Sequence, residues 1–176
     1  MKKLYFAIIA LAAFTFASCE KDQPGATAVE AMSGQWYVHL QHVDEAGELL
    51  WDGEDLFGVG NFLILTHNTA DNDPKKLFIN DLGNFWEFQV VANCDLASKT
   101  FSVTDGEDFL NGIQVTIKNG KILPGAATTP SGMKADSIVF EVAFSDDPYP
   151  AAGYYDHHRI SGYRYTGLVN DDYSLE

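Results

Sequence analysis

The chain is short of the features that mark most functional classes. It has only two cysteines in 176 residues, Cys19 and Cys94, too few for the disulfide framework of a small secreted fold. Lysine and arginine total 11 against 25 aspartates and glutamates, a formal charge of −14. A field of that sign repels phosphate backbones and anionic headgroups, which excludes nucleic acid as a partner and argues against docking on lipid through a basic patch. No stretch holds a helical period for more than about two turns, so a helical bundle is excluded. No Gly-x-Ser-x-Gly elbow is present to expose a strained serine nucleophile. Long apolar runs are also missing: residues 4–16 are too few to cross a bilayer.

What is present begins with that run. Lys2 and Lys3 precede it, Ala17-Ser18-Cys19 follows it, and polarity changes abruptly at Glu20-Lys21-Asp22-Gln23-Pro24-Gly25. A basic head, a short apolar segment and small residues before a cut describe a secretory signal. With a cysteine directly after the small pair, the segment resembles a bacterial lipoprotein signal. The resemblance implies that Cys19 is acylated and becomes the mature N-terminus, although Phe16 stands where such signals more often carry Leu. Residues 1–18 then form the signal, residues 19–31 a lipidated flexible tether, and residues 32–176 the folded domain. Several acyl chains make such attachment to the membrane close to permanent. The Lys21-Asp22 pair resembles a charged export signal of some Bacteroidota lipoproteins. The expected location is the cell envelope, as an outer-membrane lipoprotein, periplasmic or surface-exposed.

Strand patterns dominate the rest. Trp36, Val38 and Leu40 alternate with Tyr37, His39 and Gln41, the period-two signature of a half-buried strand. Residues 61–66 form a short apolar run, and Trp86, Phe88, Val90, Ala92 and Cys94 mark the apolar side of a longer alternation. Cys94 therefore reads as a small core residue. Further strands are expected at 101–103, 113–117, 138–144 and 158–168, with Asn119-Gly120 as a hairpin turn that brings 121–123 back. Asp105-Gly106, Pro124-Gly125 and Asp147-Pro148 also read as turns, and residues 29–33 suit one helical turn before the first strand. About eight antiparallel strands in a single domain of this length describe an all-β barrel or a β-sandwich.

The two ends choose between them. Gly34-Gln35-Trp36 opens the first strand, and Ser161-Gly162-Tyr163-Arg164-Tyr165-Thr166-Gly167 lies in the last. This resembles the calycin (lipocalin-like) pattern, in which a late guanidinium lies over an early indole and closes one end of a β-barrel. An Arg stacked on Trp contributes about 0.5–2 kcal/mol, depending on burial, while its donors cap strand carbonyls. Together with Leu65-Thr66-His67-Asn68-Thr69-Ala70 and Phe78-Ile79-Asn80-Asp81-Leu82-Gly83-Asn84-Phe85-Trp86, these blocks resemble a family of Bacteroidota lipoproteins named lipid-binding putative hydrolases. The resemblance implies a calycin-like barrel, closed by Gly34, Trp36 and Arg164, and a lipid or other small apolar molecule as ligand. Members often carry a second basic residue where this chain has Tyr165.

Candidate chemistry is sparse. Asp156, His157, His158 and Ser161 supply acid, base and nucleophile types, but neighbours on a strand point to opposite faces, so no catalytic residue is assigned. The acidic loops Asp71-Asn72-Asp73 and Asp105-Gly106-Glu107-Asp108 lack the spacing of a calcium loop. His39 and His67 have no Cys or His at zinc-ligand spacing, so neither metal nor cofactor is expected. Aromatics remain: Trp86, Phe88, Phe140 and Phe144 are expected to wall a ligand pocket. The reading that follows is a tethered lipoprotein binding a small apolar or lipid-like ligand. One alternative is a non-enzymatic surface protein or glycan-interaction subunit with a solid β core. A second is an esterase-like hydrolase.

Overall fold

A computed structural model describes residues 26–172; the apolar segment and Cys19 lie outside the described residues. The strands are β1 (Gly34–Val43), β2 (Asn61–Asn68), β3 (Lys76–Asn80), β4 (Gln89–Asp95), β5 (Thr100–Glu107), β6 (Gln114–Thr128), β7 (Lys134–Phe144) and β8 (His157–Arg164). Each pairs antiparallel with the next and β8 returns to β1, closing an eight-stranded barrel. The all-β barrel expectation holds, and the sandwich alternative falls, because closure leaves no pair of open sheets. A 3-10 turn at Glu30–Met32 leads into β1, as residues 29–33 suggested.

Alternation decides what fills the barrel. Trp36, Val38 and Leu40 of β1 face Val90, Ile117, Phe140, Val142 and Ile160 of other strands, and Phe88 just before β4, in one fully or nearly fully buried cluster. Eight strands enclose a lumen about wide enough for side chains to fill, and each large apolar side chain removed from water contributes roughly 1.5–3 kcal/mol. Cys94 packs against this cluster as a free thiol, and burial pushes its pKa up.

Three expected turns are bends inside strands. Asn119-Gly120 does not start a hairpin: β6 runs straight through it, paired with β7 on both sides, with a register shift between Lys118 and Lys121. Asn119 has φ +55°, and a Cβ on Gly120 would lie 2.5 Å from the Phe101 ring. The residues that suit a hairpin turn here serve a bulge that lets β6 lie against Phe101. Pro124-Gly125 falls at the next shift along β6, and Asp105-Gly106 at a shift in β5. A fourth difference concerns Trp86 and Phe88, which precede β4 rather than lying in it. Glu87 at φ +56° breaks the extended path there. The buried carboxylate of Asp81 accepts the backbone N–H groups of Phe85, Trp86 and Glu87 at 2.8–3.1 Å and holds the loop.

One end of the barrel, the base, is sealed. The Arg164 guanidinium lies 4.4 Å from the Trp36 ring centre, on the residue that pairs with it across the β1–β8 seam. It donates to the Ser33 carbonyl (2.7 Å) and pairs with Asp136 (3.3 Å). Trp36 Nε1 donates to Thr66 Oγ1 (2.8 Å), whose hydroxyl donates to the Met32 carbonyl (2.7 Å). Glycine at 34 leaves room for the lid, since a Cβ would meet Arg164 Nη1 at 2.2 Å and push the guanidinium off its place. Val29 and Met32 of the entering chain are fully buried beneath this lid.

Candidate functional site

At the other end four connections, 44–60, 81–88, 108–113 and 145–156, converge over the lumen. The interior frame of β1 continues past Leu40 to His42, and that of β8 runs through Ile160 to His158. These two histidines are register partners, 0% and 1% exposed, with ring centres 5.3 Å apart. The barrel thus carries a buried imidazole pair where its apolar filling stops.

The 145–156 connection supplies the partners. Asp147, with its side chain 1% exposed, accepts hydrogen bonds from His158 Nε2 (2.9 Å), the Tyr155 hydroxyl (2.7 Å) and the Tyr149 N–H (3.0 Å). Burial drives His158 down to a pKa of about 4, against the opposing pull of Asp147. His42 is lowered by burial too, with Asp55 and Asp147 pulling it up. Tyr155 is pushed up, by burial first and then by Asp147, so its phenol stays a donor. Neutral His42 accepts the Leu56 N–H at Nε2 (3.4 Å) and carries its proton on Nδ1.

Aromatic rings surround this group. Phe57 lies against His42, His158, Phe85, Trp86 and Tyr149 at centre distances of 5.4–6.1 Å. Trp86 stacks on Phe144 at 4.8 Å and 4°, and its indole N–H donates to Asp146 (3.0 Å). Trp51, held at φ +48°, sets its ring edge-on to His42; a bulky residue seldom adopts that backbone without a local reason. Above them Leu56, Phe57, Tyr149, Tyr154 and Tyr155 line a pocket of about 270 Å³. A larger cleft of about 450 Å³ lies around Gly120 between β4, β5 and β6, lined by Asn93, Asp95, Ser102 and Lys121 among others. It is remote from the buried histidines, so volume alone is a poor guide here.

The residues singled out from the sequence divide by face. Trp86 and Phe144 meet at the loop end beside His158, whereas Phe88 and Phe140 are fully buried in the lumen filling. Asp156 is exposed, and His157 faces outward, 3.1 Å from Lys118 Nζ. Ser161 is also on the outer face, 3.3 Å from His39. His158 alone of that group faces inward, and its acid is Asp147 rather than Asp156. Among the described residues no group of three or more His, Cys, Asp or Glu is placed to hold a metal ion. His42 and Asp147 were missed. Extending the β1 alternation by two residues finds His42, while Asp147 looks like turn chemistry beside Pro148 and gives no other signal.

Comparison with curated proteins gave no match. A family model described as lipid-binding putative hydrolase matches residues 21–169, a span that takes in every strand of the barrel. The chain therefore belongs to the lipid-binding putative hydrolase family.

Proposed function

We propose that the protein is a membrane-tethered envelope lipoprotein that binds a small apolar or lipid-like ligand at the loop end of its barrel. One observation carries this reading: the aromatic pocket over the His42–His158 pair leaves Leu56, Phe57, Tyr149 and Tyr154 between 37% and 56% exposed. A contiguous apolar patch rimmed by polar groups marks a binding surface. The family description, which names lipid binding, supports it. Trp86 and Phe144 form the inner wall, and Phe88 and Phe140 support that wall from below. Cys19 supplies the anchor.

Solvent extraction of natively purified protein, followed by mass spectrometry, tests the ligand. A recovered lipid, or saturable uptake of an uncharged fluorescent probe that Phe57→Ala weakens, is the expected result. Protein that yields no lipid and takes up no probe overturns it. Full burial of Phe88 and Phe140 favours a second reading in that case, a solid barrel whose exposed rings contact a protein or glycan partner.

A further inference from the structure

Charge is distributed unevenly along the barrel axis. The four connections of the loop end carry twelve aspartates and glutamates and neither lysine nor arginine. Of the cations on the adjoining strands, Arg159 is held on the outer face by Glu141 (3.2 Å) and the Gly47 carbonyl (2.5 Å). Lys118 lies outside against His157. Behind the pocket wall sits Asp147, an acceptor in three hydrogen bonds with no lysine or arginine among its partners in the described residues. Buried charges are ordinarily paired with an opposite charge. His158 does not fill that role, since burial keeps it neutral down to about pH 4.

We propose that the ligand of this pocket is an amphiphile with a cationic head, a quaternary or primary ammonium on an apolar chain. This rests on the apolar-ligand reading above and adds the charge of the head. Tyr149 and Tyr155 both line the pocket, and the Tyr149 backbone N–H and the Tyr155 hydroxyl both donate to Asp147, so the carboxylate lies directly behind the Tyr155 ring. An ammonium over aromatic faces is attracted by the ring quadrupole, and a phenol that donates to a carboxylate has the more electron-rich ring. Exposed Asp146, fixed on Trp86 Nε1, extends the same field at the rim. A carboxylate or phosphate head meets only repulsion here.

The test uses the full chain in phosphatidylcholine nanodiscs, with empty nanodiscs as the blank. Tryptophan fluorescence follows titration with octyltrimethylammonium, octanoate and octanol, three probes with one tail and different heads. Binding of the ammonium at least about tenfold tighter than either other probe is expected. Asp147→Asn should cut that preference, read as the ratio of ammonium to octanol affinity so that any general weakening of the pocket cancels, to about threefold or less, and Asp146→Asn, at an exposed site, should lower the same ratio. Octanoate or octanol binding as tightly as the ammonium overturns the cationic head and leaves the apolar-ligand reading standing. Binding of none of the three removes both.

Discussion

His42 and His158 lie opposite each other across the seam that closes the barrel, both turned inward and both shielded from water. An imidazole held neutral in the fold but free to protonate when unfolded makes stability depend on pH. The folded pKa of His158, about 4, lies below the ordinary 6.5. The unfolded chain therefore binds more protons between those values, and stability falls as pH drops through that window. Above about pH 6.5 the contribution is complete.

The loss by pH 4 should approach roughly 3 kcal/mol, at up to about 1.4 kcal/mol per pH unit. Urea midpoints of the wild type and His158→Gln, compared at about pH 7.5 and about pH 4.5, check this. The variant should show the flatter dependence, since other acid-sensitive groups are common to both. Parallel profiles would exclude His158 as the source.

Arg164→Ala should destabilise the barrel by about 1–3 kcal/mol, through loss of the stacked guanidinium and of the bond to the Ser33 carbonyl. Arg164→Lys should recover less than half of that, because an ammonium lacks the planar fork. Thermal unfolding of both variants gives the comparison. A lysine variant as stable as wild type would mean that charge alone matters at the base.

Gly162 controls closure. A Cβ there would stand 2.0 Å from the Tyr37 carbonyl oxygen and 2.6 Å from Val38 Cα, and backbone cannot step aside as a side chain can. Gly162→Ala should cost about 3 kcal/mol or more. Hydrogen exchange should show protection lost first along β1 and β8. Wild-type exchange in those two strands would contradict it.

Asp81→Ala should free the Trp86 loop, since one buried carboxylate holds the N–H groups of Gly83, Phe85, Trp86 and Glu87. The expected outcome is red-shifted tryptophan emission, loss of probe uptake and about 2–3 kcal/mol of destabilisation, with partial recovery in Asp81→Asn. Unchanged emission would show that packing alone fixes the loop.

On the proposed lipoprotein reading, Cys19→Ala should move the protein from the membrane to the soluble fraction of the envelope, because the acyl chains that would hold it are attached at that thiol. Fractionation and immunoblotting read this directly. Retention of the variant in the membrane would end the lipoprotein reading.

The fold was legible where side-chain period and chain ends agree. Trp36 and Arg164 stand at opposite ends of the barrel sequence and meet in space, and strict alternation located most of the strands. The bulges were not legible, because Asn-Gly and Pro-Gly satisfy a positive φ equally well in a turn and in a bent long strand. Only the partner strand decides, and Phe101 against Gly120 is a contact between residues that no local pattern connects. The site was legible in part. Its rings are visible as residues, but Asp147 joins His158 through a loop whose path depends on the finished barrel.

The way the chain enters the barrel sets an orientation. On the proposed lipoprotein reading, with the anchor at Cys19, entry of the chain at Val29 and Met32 beneath the Arg164 lid would put the tether at the plugged pole and the aromatic rim about 25 Å farther from the bilayer. A molecule moored in that way would fish in the surrounding fluid instead of grazing on the leaflet that held it. Cargo would reach it from solution or from another carrier.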